Sequence, residues 1–197
     1  MEQGFPSADG GTFRCYAHHL TSNRETKGIP ISFYDSAAPA FLQTLGALSE
    51  ILKKAEAHAS ARKIAPEALL TARLYPDMLP LTRQIQIACD FAVKTSARLS
   101  GSEVPSTPDT EKTFDDLQQR VAKAMDYVNG IAPAKFEGAD GRDVTFPAGP
   151  DKTMTLKGQQ YLSQFALPNF YFHATTAYDI LRHNGIEIGK RDFMGVK

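Results

Sequence analysis

From Ser32 onward the chain places apolar residues three and four positions apart in one segment after another, and this spacing confines it to a helical architecture. The first stripe is Phe33, Ala37, Phe41, Leu45, Leu48, Leu52 and Ala55, which predicts a helix over residues 32–60 with Ser32 and Asp35 as a capping box and a kink near Pro39. A short helix opens at Pro66 and runs to Pro76. A longer one follows over 79–100, with Leu81, Ile85, Ala88, Ala92, Thr95 and Leu99 inward and Gly101 as its stop. The next is expected over 109–129, where Thr107-Pro108-Asp109 offers a cap, a first-turn proline and an acid, and Phe114, Leu117, Val121, Ala124 and Val128 form the buried face. The last is expected over 158–184, carrying Leu162, Phe165, Ala166, Asn169, His173, Ala177 and Ile180, bent by Pro168 and ended by Asn184-Gly185.

Between the last two helices, residues 131–157 lack that period. Segments 143–147 and 152–156 read instead as a small β-hairpin that acts as a connector. Four long helices with one long crossover predict an all-α four-helix bundle with a hairpin appendage. Residues 1–28 mix Gly, Ser, Thr, Asn and charge without periodicity and read as a flexible leader, so the helical domain is expected over 29–197.

Charge and cysteine content remove several function classes. Lys plus Arg and Asp plus Glu are 22 each, so no net field draws the chain to nucleic acid or to an anionic bilayer. The two cysteines, Cys15 and Cys89, are too few for a disulfide scaffold or a zinc finger. No run approaches the ~18 apolar residues of a membrane span and no signal-peptide block is present, which predicts a cytoplasmic protein. HExxH, GxSxG, Glu-x-x-His, phosphate-loop and dinucleotide motifs are all missing.

The most informative polar residues are Asn169 and His173. They stand at i and i+4 on the apolar face of the last helix, so both are expected to point inward. An inward polar group costs about 1–3 kcal/mol unless it finds a partner. Pro168 supplies one candidate, because it frees the carbonyl of Gln164. Asp77, Gln84 and Gln86 are possible partners from the second long helix. Asp77 could equally cap that helix, and Gln84 and Gln86 lie about 200° apart on it, so one of the two is expected in solvent. His183 lies too far around the helix from His173 to share an ion with it, and fits a favourable charge at the helix C-terminus.

The segments ARKIAPEALLTARLYPDMLPLTRQIQIACDFA and FALPNFYFHATTAYDILRHNGIEIGKRDF closely resemble the domain-of-unknown-function family numbered nineteen ninety-three, and the resemblance runs from Ile29 to the C-terminus. That family looks like a branch of the DinB/YfiT-like superfamily of four-helix bundles, whose members often hold a divalent metal with one His from helix two and an HxxxH pair from helix four. By this resemblance Asn169 and His173 fall on the two His of that pair, and Gln86 falls on the helix-two ligand to within a residue or two. Only His173 keeps an imidazole. Zinc or nickel would therefore have to be held by His173 with weak amide donors, helped by Asp77. The preferred expectation is a polar cleft for a small molecule, lined by Asp77, Gln86, Asn169 and His173, with His173 as proton carrier or hydrogen-bond donor and Asn169 as orienter. A homodimeric scaffold and a metal-dependent transferase or hydrolase are the alternatives.

Overall fold

The computed structural model describes residues 32–196, so the leader expected over 1–28 lies outside the described residues. Helix α1 (Phe33–Arg62) begins where the capping box predicts: Ser32 Oγ accepts from the Asp35 amide and donates to the Asp35 carboxylate. Pro39 lies within α1 without ending it, and Lys63, left-handed at φ 56°, closes it. The short α2 (Pro66–Leu70) follows, then α3 (Leu81–Ser100), which stops at Gly101. Gly101 takes φ 68°, a conformation that favours glycine, and this lets the Ser102 amide bond back to the Ala97 carbonyl.

Helix α4 (Phe114–Asn129) starts five residues later than the Thr107-Pro108-Asp109 signal predicts. Its cap is Thr113, whose hydroxyl accepts from the Asp116 amide while the Asp116 carboxylate accepts from the Thr113 amide. Residues 102–113 instead form an extended strap, because their acids are used elsewhere. Arg120 of α4 is only 3% exposed; it donates to Glu111 at 3.0 Å and to the Pro108 carbonyl at 3.1 Å, and it also reaches Asp109. These bonds hold the strap beside α3, where Gln86 donates to Glu111 at 2.7 Å.

The crossover holds a 3-10 turn (Pro133–Phe136) and the expected hairpin as a two-stranded antiparallel sheet. Strand β1 (Asp143–Pro147) pairs with β2 (Thr153–Lys157), with Asp143 opposite Lys157 and Phe146 opposite Met154. The hairpin is more than a connector: Val144 and Phe146 enter the core, and the Phe146 ring lies 4.4 Å from that of Phe165 and 4.9 Å from that of Tyr161. The last helix is not one regular element. A three-residue turn α5 (Gly158–Gln160) leads into a π-helical turn (Tyr161–Ala166) and then α6 (Leu167–His183), with Pro168 in its opening turn; a short α7 (Lys190–Phe193) follows. The π turn inserts an extra residue just before the polar pair, a change of register that apolar spacing alone does not reveal.

The described residues are thus mostly helical with one small sheet. Four helices have 16 residues or more, and short helices add to the four expected. Helix α1 packs on α4, α4 on α3, and α3 on α6. Their inner faces form one apolar core in which, for example, Phe41 of α1 meets Phe170 of α6 edge-on at 4.9 Å. Among the described residues no helix is long and apolar enough to cross a membrane.

Candidate functional site

The α3–α6 seam brings His173 and Gln84 together. His173 Nδ1 lies 2.7 Å from Gln84 Oε1, while Gln84 Nε2 donates to the Leu79 carbonyl at 3.0 Å. The second bond fixes the amide: with its nitrogen committed to Leu79, the Gln84 oxygen faces the ring and accepts, so Nδ1 carries the proton. A neutral His173 then has its lone pair on Nε2. Burial holds this imidazole below its ordinary 6.5, and the nearby Arg83 guanidinium lowers it further, so the neutral form dominates at neutral pH.

Nε2 is also accessible. Among the described residues it has no hydrogen-bond partner, and Ser96 Oγ is the one fully enclosed, unpartnered side-chain oxygen or nitrogen there, so Nε2 of this half-buried ring is not fully enclosed. The ring is held from several directions. It stacks on Phe91 of α3 at 6.1 Å and 18°, and meets Phe172 edge-on at 5.2 Å. Phe172 is itself 57% exposed, so the imidazole sits at an apolar rim. The arrangement presents one oriented, neutral, basic nitrogen.

The other candidate residues are dispersed. Asn169 lies one turn before His173, but its side-chain amide turns back and donates to the Phe165 carbonyl at 2.7 Å. The carbonyl that it serves is Phe165's, four residues back, rather than the Gln164 carbonyl expected from Pro168. Asp77 is exposed in the turn between α2 and α3, and it does not cap α3, whose N-cap is Pro80. Gln86 is buried but points away from His173, toward Glu111 and Arg83. The expectation that Gln84 or Gln86 is solvated does not hold, since they are 1% and 2% exposed. Helix α3 is covered along both flanks, by α6 over Gln84 and by the strap over Gln86. The residue that partners His173 is thus Gln84. Its signal in the sequence is the spacing Gln84, Ile87, Phe91, Lys94, Arg98, which marks one face of α3.

These residues do not fit a divalent metal. Gln84 Oε1 is occupied by the ring N–H, which leaves one imidazole nitrogen and the neutral Asn169 amide oxygen on this face. Zinc and nickel sites take three or four imidazole, thiolate or carboxylate donors. Among the described residues no three His, Cys, Asp or Glu side chains converge into such a set.

A second polar cluster lies across α3. Asp90 accepts from Arg120 at 2.6 Å and from Lys94 at 2.7 Å, and Arg83 pairs with Asp109. Cys89, buried beneath this cluster, has its thiol pushed up to about 12, chiefly by burial. A thiol so placed is not a nucleophile.

A family model described as a domain of unknown function (DUF1993) matches residues 33–194. The chain is also similar to the crystal structure of a DinB family member protein from Shewanella denitrificans. The two share 41% sequence identity over 83% of this chain and 92% of that one, with a TM-score of 0.77. No curated protein matches.

Proposed function

This chain belongs to the DUF1993 family, a DinB-like branch, and on that premise we propose that its four long helices act as a DinB-like bundle that binds a small molecule at the α3–α6 seam. In this reading the protein is cytoplasmic. His173 Nε2 accepts a hydrogen bond from the ligand, and Gln84 takes the orienting part expected of Asn169. The observation that carries the reading is the chain Leu79 carbonyl, Gln84 amide, His173 Nδ1–H, which fixes a tautomer and leaves a bare nitrogen at an accessible rim. Any turnover would be proton abstraction by Nε2, with no metal step.

Long-range 1H–15N spectra of the imidazole test this. The reading requires a protonated Nδ1 and a bare Nε2 at pH 7, with Nε2 shifting when a donor ligand from a metabolite library binds. The opposite tautomer sinks it.

A homodimer is the second reading, favoured by the exposed rings of Tyr75 and Phe172 and by exposed Leu79, which bonds Gln84 through its carbonyl. Light scattering decides, since a monomer of 21.6 kDa rejects it.

A further inference from the structure

Beyond His173 along the same face of α3, a hollow of about 210 Å³ opens between α3, β1 and the π turn. Ile87, Phe91, Lys94 and Arg98 line it from α3 at steps of four, three and four; Phe146 and Phe165 close it from the other side. The three phenylalanine rings form a continuous apolar wall, with Phe91 and Phe165 at 5.8 Å and Phe165 and Phe146 at 4.4 Å.

The charges at its rim are unequal. Asp90 is shared between Lys94 and Arg120, so Lys94 is already neutralised. Arg98 has no carboxylate partner among the described residues. It donates to the hydroxyl of the fully buried Tyr161 at 3.0 Å, a neutral partner, and the carbonyl end of α3, in whose last turn it lies, offsets its charge only in part. A half-buried arginine with five donors and a phenol as counterpart is a site for an anion. With Asp90 negative and Lys94 and Arg98 positive, the lining carries a net charge of +1, which disfavours an organic cation despite the aromatic wall.

We propose that this hollow binds a small organic monocarboxylate with an apolar body, of the size of benzoate, its carboxylate on Arg98 and its ring among Phe91, Phe146 and Phe165. The volume lies below the several hundred Å³ usual for drug-sized ligands and suits a single ring. The hollow shares Phe91 with the Nε2 rim but does not rest on that reading of His173.

The test is a 1H–15N NMR titration of the whole chain with benzoate, benzyl alcohol and benzylamine in parallel. Benzoate should move the amides of Phe91, Lys94, Arg98, Phe146 and Phe165 together and saturate, with each of the other two binding at least about tenfold more weakly. Arg98→Met keeps most of the apolar stem and should weaken benzoate by about tenfold or more with helical dichroism unchanged. Equal binding of the alcohol or the amine overturns the proposal, as do shifts centred elsewhere, no saturable shift, or undiminished benzoate binding by a folded Arg98→Met. If that variant does not fold, the three-ligand comparison on the unaltered chain decides alone.

Discussion

Replacing His173 with alanine probes the bond that orients it. The substitution removes the donor to Gln84 Oε1, and Gln84 is 1% exposed, so its oxygen is left in the core without a partner. An orphaned neutral acceptor of this kind costs about 1–3 kcal/mol. Losing a half-buried ring packed on Phe91 and Phe172 adds on the order of 1 kcal/mol. The sum is about 2–4 kcal/mol. With a urea slope near ~2 kcal/mol/M, the unfolding midpoint should fall by roughly 1–2 M at constant slope. His173→Gln can offer an amide N–H to the same oxygen and should lose less than half as much. The unaltered protein should also show a pH signature. The native imidazole titrates below 6.5 and the unfolded one near it, so the unfolded state binds the extra proton. The contribution of His173 is therefore complete above pH 6.5 and declines as pH falls from there toward the lower native value. His173→Gln should remove that part of the slope. An unchanged midpoint for His173→Ala would refute the claim that Gln84 depends on the ring.

Three further outcomes follow from the packing. Arg120→Met should destabilise by about 1–3 kcal/mol in a denaturant melt, because the nearly buried Glu111 loses its cation and keeps only the Gln86 amide, while Asp90 retains Lys94. Gly158→Ala should cost at least about 1–3 kcal/mol, since its Cβ would fall 1.8 Å from the Ala139 carbonyl oxygen, a backbone atom that cannot swing away. Cys89, with its thiol pushed up to about 12, should resist iodoacetamide at pH 8 in the folded chain and react once urea unfolds it, as read by peptide mass spectrometry.

The helices were legible wherever one face alone meets the core, as the stripe of α1 and its Ser32 cap illustrate. Helix α3 is different. Its Gln84 and Gln86 lie on nearly opposite sides, yet both are buried, because the strap lies along a face that periodicity assigns to solvent. That covering is held by Arg120 of α4, which bonds Glu111 and the Pro108 carbonyl, together with Arg83 on Asp109 and Gln86 on Glu111, contacts that apolar spacing does not reveal. The candidate site was legible in the same proportion. The i, i+4 spacing marks Asn169 and His173 as a pair on one helix, yet Asn169 turns back to the Phe165 carbonyl; the resemblance points to Gln86, and only the three-dimensional seam distinguishes it from Gln84 two positions earlier. The π turn at Tyr161–Ala166 was hidden because its residues satisfy an α-helical pattern equally well.

The start of α4 shows how tertiary contacts choose between two local signals, and it can be tested directly. Thr107 and Thr113 both precede acids and helix-compatible residues, and by local chemistry the Thr107-Pro108-Asp109 signal is the fuller one. Using it would wind Asp109 and Glu111 into a first turn, away from Arg120, and would leave a nearly buried guanidinium with Asp90 as its one remaining carboxylate among the described residues. Starting at Thr113 keeps those bonds and still gives a reciprocal capping box through Asp116. Retaining the partners of a buried charge outweighs extra helical residues whose propensity is worth only tenths of a kcal/mol each. Thr113→Ala should therefore cost about 1 kcal/mol, the usual loss of a cap, whereas Thr107→Ala, on an exposed strap, should stay within about 0.5 kcal/mol of the parent. With Arg120→Met in the background, the segment loses its reason to remain extended, and helical dichroism should rise as α4 grows toward Thr107. Equal losses for the two threonines, or unaltered helicity in Arg120→Met, would mean that the strap is held by something other than this arginine.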